Sequence, residues 1–504
     1  MRSVALAITW FFVSTAAFAA EPPWPTASWQ TSTPEEQGMS SGALASLIDT
    51  VGARMQDSLL IARHGRIVAE AYYAPYRSGI PHDLRSVTKS IIGTLTAIEV
   101  REGLLNGTNH PVLDLFADKQ IANIDDKKKQ MTIQNLLDMT SGIEWQEKNY
   151  TPDETISRMY KAPDRTAFVL DQPMSDLPGT KFYYNSGNPY VLSAVITRET
   201  GKDAWNYAKQ NLFALLGIFT ERWQQPDAQD VTDGEAGLSL EPRDMLKIGY
   251  LYLHDGLWDG QQIIPAFWVA YAEAGKVPAT FGLHYANLWW SVPEKGALMA
   301  MGRHSQRILV LPKYDIVAAM TGYMPDDEFY PVDRFIDDIV AAVRSDGALP
   351  PDPIGQSALA ASIGAAASEH SLPVGGTPAL QLTVSGRTYR LDENKFHMTT
   401  ISLRLMGDDP MWTIATNNGK LGADTNYFPG PLGLDGRFRL AAPNRFGVAA
   451  ARGRWVSDNS LEIERRILGH SETQRWLLTF EENSVSLHFV DTDGDEVDVR
   501  GRVD

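Results

Sequence analysis

Ser86 and Lys89 stand three residues apart in "LRSVTKSIIGTL", at the start of a helical pattern. Residues at that spacing share one helix face, with Cβ atoms about 5–6 Å apart. A serine in the first turn therefore reaches a lysine one turn on, which is the arrangement of a nucleophile and its base. The serine's own N–H is among the unsatisfied donors of the helix start and points where an oxyanion can sit. A lysine, ordinarily near 10.4, must be buried or set beside other cations to reach the ~7–8 that suits a base. The apolar run "SIIGTL" predicts a core helix with a desolvated start. Average composition alone supplies about one or two S-x-x-K in a chain this long. This chain has only the one, so its context decides its meaning.

Two further stretches supply that context. In "PGTKFYYNSGNPYVLSAVI", Pro178 to Ile196, aromatic and polar residues precede an apolar helix pattern. A tyrosine here, Tyr184 or its neighbour Tyr183, can shuttle a proton. In "AMGRHSQRILVLP", Ala300 to Pro312, a polar turn leads into a buried strand whose first N–H groups can face a cleft. Trp145, in "SGIEWQE", is a further candidate for the cleft wall. Two motif matches fail on context. Gly38-Met39-Ser40-Ser41-Gly42 has the G-x-S-x-G form but no buried strand before it, so Ser40 or Ser41 reads as a helix N-cap. "DTDGDE", Asp491 to Glu496, has its glycine too early for a calcium loop and reads as a hairpin turn at Asp493-Gly494.

The elements that must position these residues follow from the patterning. "SLLIARHG" and "RIVAEAYY" read as a hairpin turning at Gly65. Helical spacing runs from Ser86 to about Leu104, through "TIQNLLDMTSG", from Asp203 to Leu216, and after Pro242. Strands return in "RILVLP" and "DIVAAMTGY". Strands that bracket a helical middle predict an α+β domain whose sheet joins both ends of its sequence. Residues 345–376, rich in Ala, Pro, Gly and Ser, read as a linker, part of it able to form a short helix. From 377 to 504, short alternating runs such as "LQLTV", "TTISLRL", "MWTIAT" and "SVSLHFV" predict an antiparallel all-β sandwich or barrel.

In this order the three motif stretches resemble the serine β-lactamase and penicillin-binding superfamily, whose S-x-x-K is catalytic. The likeness is strongest to its class C-like esterases and amidases, including the nylon-oligomer (aminohexanoate-dimer) hydrolases. It spans roughly Ser32 to Val343, with "TIQNLLDMTSGIEW", "GLSLEPRDMLKIGYLYL" and "GLWDGQQIIP" resembling that family's connecting segments. The resemblance implies a β-lactamase-like domain over 20–344, an antiparallel sheet flanked by helices with a helical subdomain. It implies Ser86 as acylated nucleophile, Lys89 as base and Tyr184 as proton relay, with Tyr184-Asn185-Ser186 as the family's Y-x-N/S element. The family's K-T-G element falls on Arg303-His304-Ser305, and Gln306 would give the second oxyanion N–H beside Ser86. Arginine replaces the family's lysine, Ser305 its glycine, and S-D-N is absent, so the implied chemistry is ester or amide hydrolysis before β-lactam turnover. A penicillin-recognising D,D-peptidase or β-lactamase, and a non-catalytic binding protein on the same scaffold, are the alternatives.

The composition fits. At 504 residues and 43% apolar the chain is long enough for two cores, and a formal charge of −17 argues against a nucleic-acid or anionic-membrane partner. The opening "MRSVALAITWFFVSTAAFAA" has one basic residue, a short apolar run and Ala17-Phe18-Ala19, so residues 1–19 read as an export signal and the mature chain as a periplasmic or secreted protein. No later run reaches membrane-spanning length. With no cysteine and scattered histidines, neither a metal nor another cofactor is expected, and the partner is a small ester or amide.

Overall fold

The structure, a computed structural model, describes residues 24–325, 330–417, 426–444 and 447–504. The expected export signal lies outside the described residues. Two large apolar cores divide the chain, one spanning Trp29 to Leu359 and one spanning Val384 to Val499.

The first core is built on a nine-stranded sheet. The hairpin Gln56–Arg63 and Arg66–Tyr72 lies beside Ile316–Gly322, which is followed across the sheet by Gln306–Leu311, Ala297–Gly302 and Trp289–Val292. The predicted union of both ends is the antiparallel pairing of Leu60 with Ala319 and of Ile61 with Ala318. These central strands are buried along their whole length, which is why they read as continuous apolar runs. Helix Pro242–Leu253 crosses one face, where Gly249 sits so close that a Cβ would meet Ile308 at 2.9 Å. Helix Ser41–Gly52 covers the other, with Ser40 Oγ accepting from the Ala43 N–H at 3.3 Å as its N-cap.

Residues expected to form a linker do more than connect. Asp352 caps a helix, Pro353–Ala366, that packs along Ser41–Gly52 and buries Leu359 in the main core. The first core therefore draws on residues beyond 344. "LQLTV" is a helix, Leu380–Val384, and not a strand. Leu380 and Val384 are spaced i, i+4 and meet the second core, whereas Leu382 between them is 67% exposed. Five residues fit either period, and here the helical one buries more.

The second core fills a nearly closed barrel of ten antiparallel strands. Its last hairpin joins Ser484–Asp491 to Glu496–Val503 through the predicted turn, with Gly494 at φ +81°. The barrel docks beside the nucleophile. Arg466 donates to Asp57 at 2.8 Å, and Asp57 also bonds the His82 ring at 3.0 Å, all three buried. The Asp83 N–H donates to the Gly469 carbonyl at 2.7 Å, and Arg85 Nε donates to Ser471 Oγ at 3.2 Å. Barrel contacts thus grip Asp83 and Arg85, just before Ser86. Arg85 itself is held at φ +50°, a conformation costly for a side chain with a Cβ.

Candidate active site

Ser86 stands at the N-terminal boundary of the helix Val87–Glu102, whose first thirteen residues are buried without a break. Lys89 Nζ donates to Ser86 Oγ at 2.8 Å, so the spacing does what the sequence predicts. The same ammonium donates to the Glu235 carbonyl and to Glu235 Oε2, each at 2.9 Å. Glu235 in turn accepts from the Tyr160 hydroxyl, which also bonds Asp233 at 3.0 Å.

The charges differ from the sequence expectation. Burial alone pushes Lys89 down, but the Tyr184 oxygen and the Glu235 and Glu147 carboxylates outweigh it and hold the ammonium well above its ordinary value. Burial raises Glu235 too, and the Lys89 charge more than reverses this and keeps it ionised. Burial, with Glu235 nearby, lifts Asp233 to about 6. Burial lifts Glu147 to about 7 against the pull of Lys89. These carboxylates thus favour the ammonium form of Lys89.

Tyr184 lies with its ring centroid 5.1 Å from Lys89 Nζ and stacks on Trp290 at 6.0 Å. Burial raises its hydroxyl, while the Lys89 ammonium and the nearby Ser86 hydroxyl act the other way. Tyr183, the register alternative, is 45% exposed and does not line the cavity that Tyr184 lines. Ser86, Tyr184, Tyr150, Glu147, Trp290, Phe281, Gly302 and Arg303 line one cavity of about 570 Å³.

Other predicted residues sit behind that wall. Trp145 is buried and donates its indole N–H to Glu147. Ser186 is buried and gives Glu147 both its backbone N–H, at 2.8 Å, and its hydroxyl, at 3.1 Å. Both hold Glu147, a residue the sequence reading missed. Gln306 is fully buried, its amide donating to the His304 and Gly322 carbonyls, and it does not line the cavity. The residue beside Ser86 is instead Gly302, at the end of strand Ala297–Gly302. A Cβ there would meet the Leu84 carbonyl at 2.3 Å and the Ser86 nitrogen at 3.1 Å. The strand end can pass the nucleophile only because residue 302 has no side chain.

After Gly302 the chain turns through His304 at φ +61° and Ser305 at φ +77°. Glycine adopts the latter freely, so Ser305 carries the strain of the departure from the family pattern. Arg303 lies over the Tyr150 ring at 4.9 Å and donates to Asp493 at 3.2 Å, a contact from the tip of the last barrel hairpin. The barrel therefore touches the site at both Arg85 and Arg303. Among the described residues no cluster of acidic or histidine side chains is arranged to hold a metal, and no helix is long and apolar enough to cross a membrane.

A sheet flanked by helices, with serine and lysine sharing the first turn of a buried helix, defines a β-lactamase-fold serine hydrolase family. The beta-lactamase family matches residues 44–338, and the chain belongs to it. Among curated proteins, the 6-aminohexanoate-dimer hydrolase of Paenarthrobacter ureafaciens is 24% identical over 321 residues, covering 59% of this chain and 81% of that protein. Among solved structures, a family VIII carboxylesterase superposes with a TM-score of 0.50 at 17% identity, covering 62% of this chain and 98% of its own. A hydrolase with promiscuous acyltransferase activity superposes at 0.51 and 17% identity, covering 60% and 99%. These two likenesses show the fold.

Proposed function

We propose that the protein hydrolyses an ester or amide through an acyl-enzyme on Ser86. The observation that carries this reading is the 2.8 Å contact of Lys89 Nζ with Ser86 Oγ on the wall of a 570 Å³ cavity. Ser86 Oγ attacks the substrate carbonyl, and its proton passes into the Lys89–Tyr184 pair. Tyr184 returns it to the leaving group, and water then releases the acid. The pair accepts a proton only when it has itself lost one, and the two groups titrate together. The oxyanion is held by the N–H of Ser86 and, in this reading, by that of Arg303 in place of Gln306. Arg303 lines the cavity next to Gly302, whose backbone runs beside Ser86. The N-terminal pattern supports an exported enzyme, with the mass of the mature chain as its test.

A penicillin-recognising enzyme is the second reading, because Arg303 keeps a cation where the family has lysine. That cation is already engaged by Asp493 and the Tyr150 ring, and a substrate carboxylate has to compete for it. Its planar head group also does not replace an ammonium. The deciding measurement is kcat/KM for a butyryl ester and for a chromogenic cephalosporin on one preparation, with Ser86→Ala as blank. The ester is expected to be cleaved much faster. Equal or better turnover of the cephalosporin reverses the order of the two readings.

A further inference from the structure

The barrel encloses a cavity of its own. Side chains at alternate positions face inward, among them Leu461, Ile463, Arg465 and Ile467 on one strand and Trp476, Leu478 and Phe480 on the next. Toward one end Phe480 packs against Tyr389 and Trp455. Toward the other the interior opens into a space of about 280 Å³. Its wall is aromatic. Trp476 lies between Trp412 at 5.5 Å and Phe489 at 4.7 Å, and Phe396 meets Phe489 at 4.9 Å.

Among the described residues one charged side chain lines this apolar space. Arg465 lines the cavity and donates to Gln474 Oε1 at 2.8 Å, and Gln474 passes its own amide N–H to Glu472 at 2.5 Å. Among the described residues no carboxylate lies within ion-pair distance of Arg465, and Glu472 acts on it only from beyond Gln474. The arginines on the outer face of the preceding strand are different. Arg452 and Arg454 are paired with Glu464 and Glu462 at 2.7 and 2.9 Å. A guanidinium turned inward among tryptophans is costly unless something compensates its charge. The Trp476 indole N–H, on the same wall, is buried with no acceptor among the described residues. The cavity thus presents a cation and a spare donor at the edge of an aromatic cup. That is complementary to a molecule with one acidic head and an apolar body.

We propose that the barrel cavity binds a medium-chain carboxylic acid, its carboxylate on Arg465 and its apolar chain among Trp412, Trp476 and Phe489. A phosphate or a sugar fits less well, because the walls offer few polar partners beyond Arg465, Gln474 and Thr416. This inference does not rest on the hydrolase reading, since a carboxylate can bind here whether or not Ser86 is acylated.

The test is calorimetric titration of the full-length protein with octanoate and with 1-octanol. Octanoate is expected to bind at one site per chain, and the alcohol, which lacks the charge, about tenfold or more weakly. Arg465→Gln is expected to remove that preference while melting and ester hydrolysis stay as in the parent. The ratio of the two ligands on the unaltered protein tests the claim even if the variant does not fold. Absence of saturable octanoate binding overturns the proposal. So does equal affinity for the alcohol, or octanoate binding that a folded Arg465→Gln leaves unchanged.

Discussion

Lys89 Nζ lies 2.9 Å from Oε2 of Glu235, a residue 146 positions away in sequence. That contact sets the charge of the site. A carboxylate this close stabilises the ammonium form and opposes the proton loss that makes the Lys89–Tyr184 pair a base. Activity should therefore rise with pH on the alkaline side of neutrality. Glu235→Gln keeps the shape and removes the anion, so the pair should release its proton more readily. The acid limb of the kcat/KM profile should move to lower pH by about one unit or more. A limb that stays in place would show that the titrating group is not Lys89 with its partner.

Gly302 gives a second expectation. A methyl group there meets the Leu84 carbonyl and the Ser86 nitrogen, neither of which is a flexible side chain. Gly302→Ala should therefore move the end of the strand away from the nucleophile. Loss of one oxyanion donor lowers turnover by about 10²–10³. Esters, amides and β-lactams should all suffer alike, with overpacking costing about 1–3 kcal/mol in stability. Parallel kinetics and thermal melts check both parts. Near-normal turnover of every substrate would remove the strand end from the oxyanion hole.

Glu99 predicts a change in stability rather than in activity. It lies fully buried on the nucleophile helix, and neither carboxyl oxygen has a hydrogen-bond partner among the described residues. Burial, with Glu199 and Glu102 adding to it, holds its carboxyl well above the ordinary 4.5. The folded protein then binds a proton that the unfolded chain gives up above 4.5, so stability falls as pH rises past that value. Glu99→Gln has nothing to ionise. It should melt higher than the parent at neutral pH and about the same near pH 4. Thermal melts at both pH values measure this, and an equal difference at the two would show that Glu99 does not titrate on unfolding.

What the sequence made legible was mostly local. Ser86 and Lys89 lie on one helical turn, so their meeting needed only the helix period. Ser40 as a cap and the turn at Asp493-Gly494 are likewise short-range. Glu235 and Glu147 were hidden because their partners are distant: Glu235 meets Lys89 across 146 positions, and Glu147 meets Ser186 across 39. The carboxylates that act on Lys89 were hidden for the same reason, whereas its burial was visible in "SIIGTL". Gln306 opens the strand after the turn and lies off the cavity, whereas Gly302 before the turn flanks Ser86. The family pattern pointed to the turn, but which backbone flanks Ser86 depends on where the strand before the turn ends. The barrel was legible as a domain, yet its contacts with Asp57 and Arg85 join residues 409 and 386 positions apart and left no local trace.

Ser86 as an acylated nucleophile is the central claim, and one labelling experiment reaches it directly. The protein is treated with a fluorophosphonate, its intact mass measured and the modified peptide sequenced. A single adduct on Ser86 is expected, lost in Ser86→Ala, while melting shows the variant still folded. No adduct, or an adduct on another residue together with full ester hydrolysis by Ser86→Ala, would contradict the account.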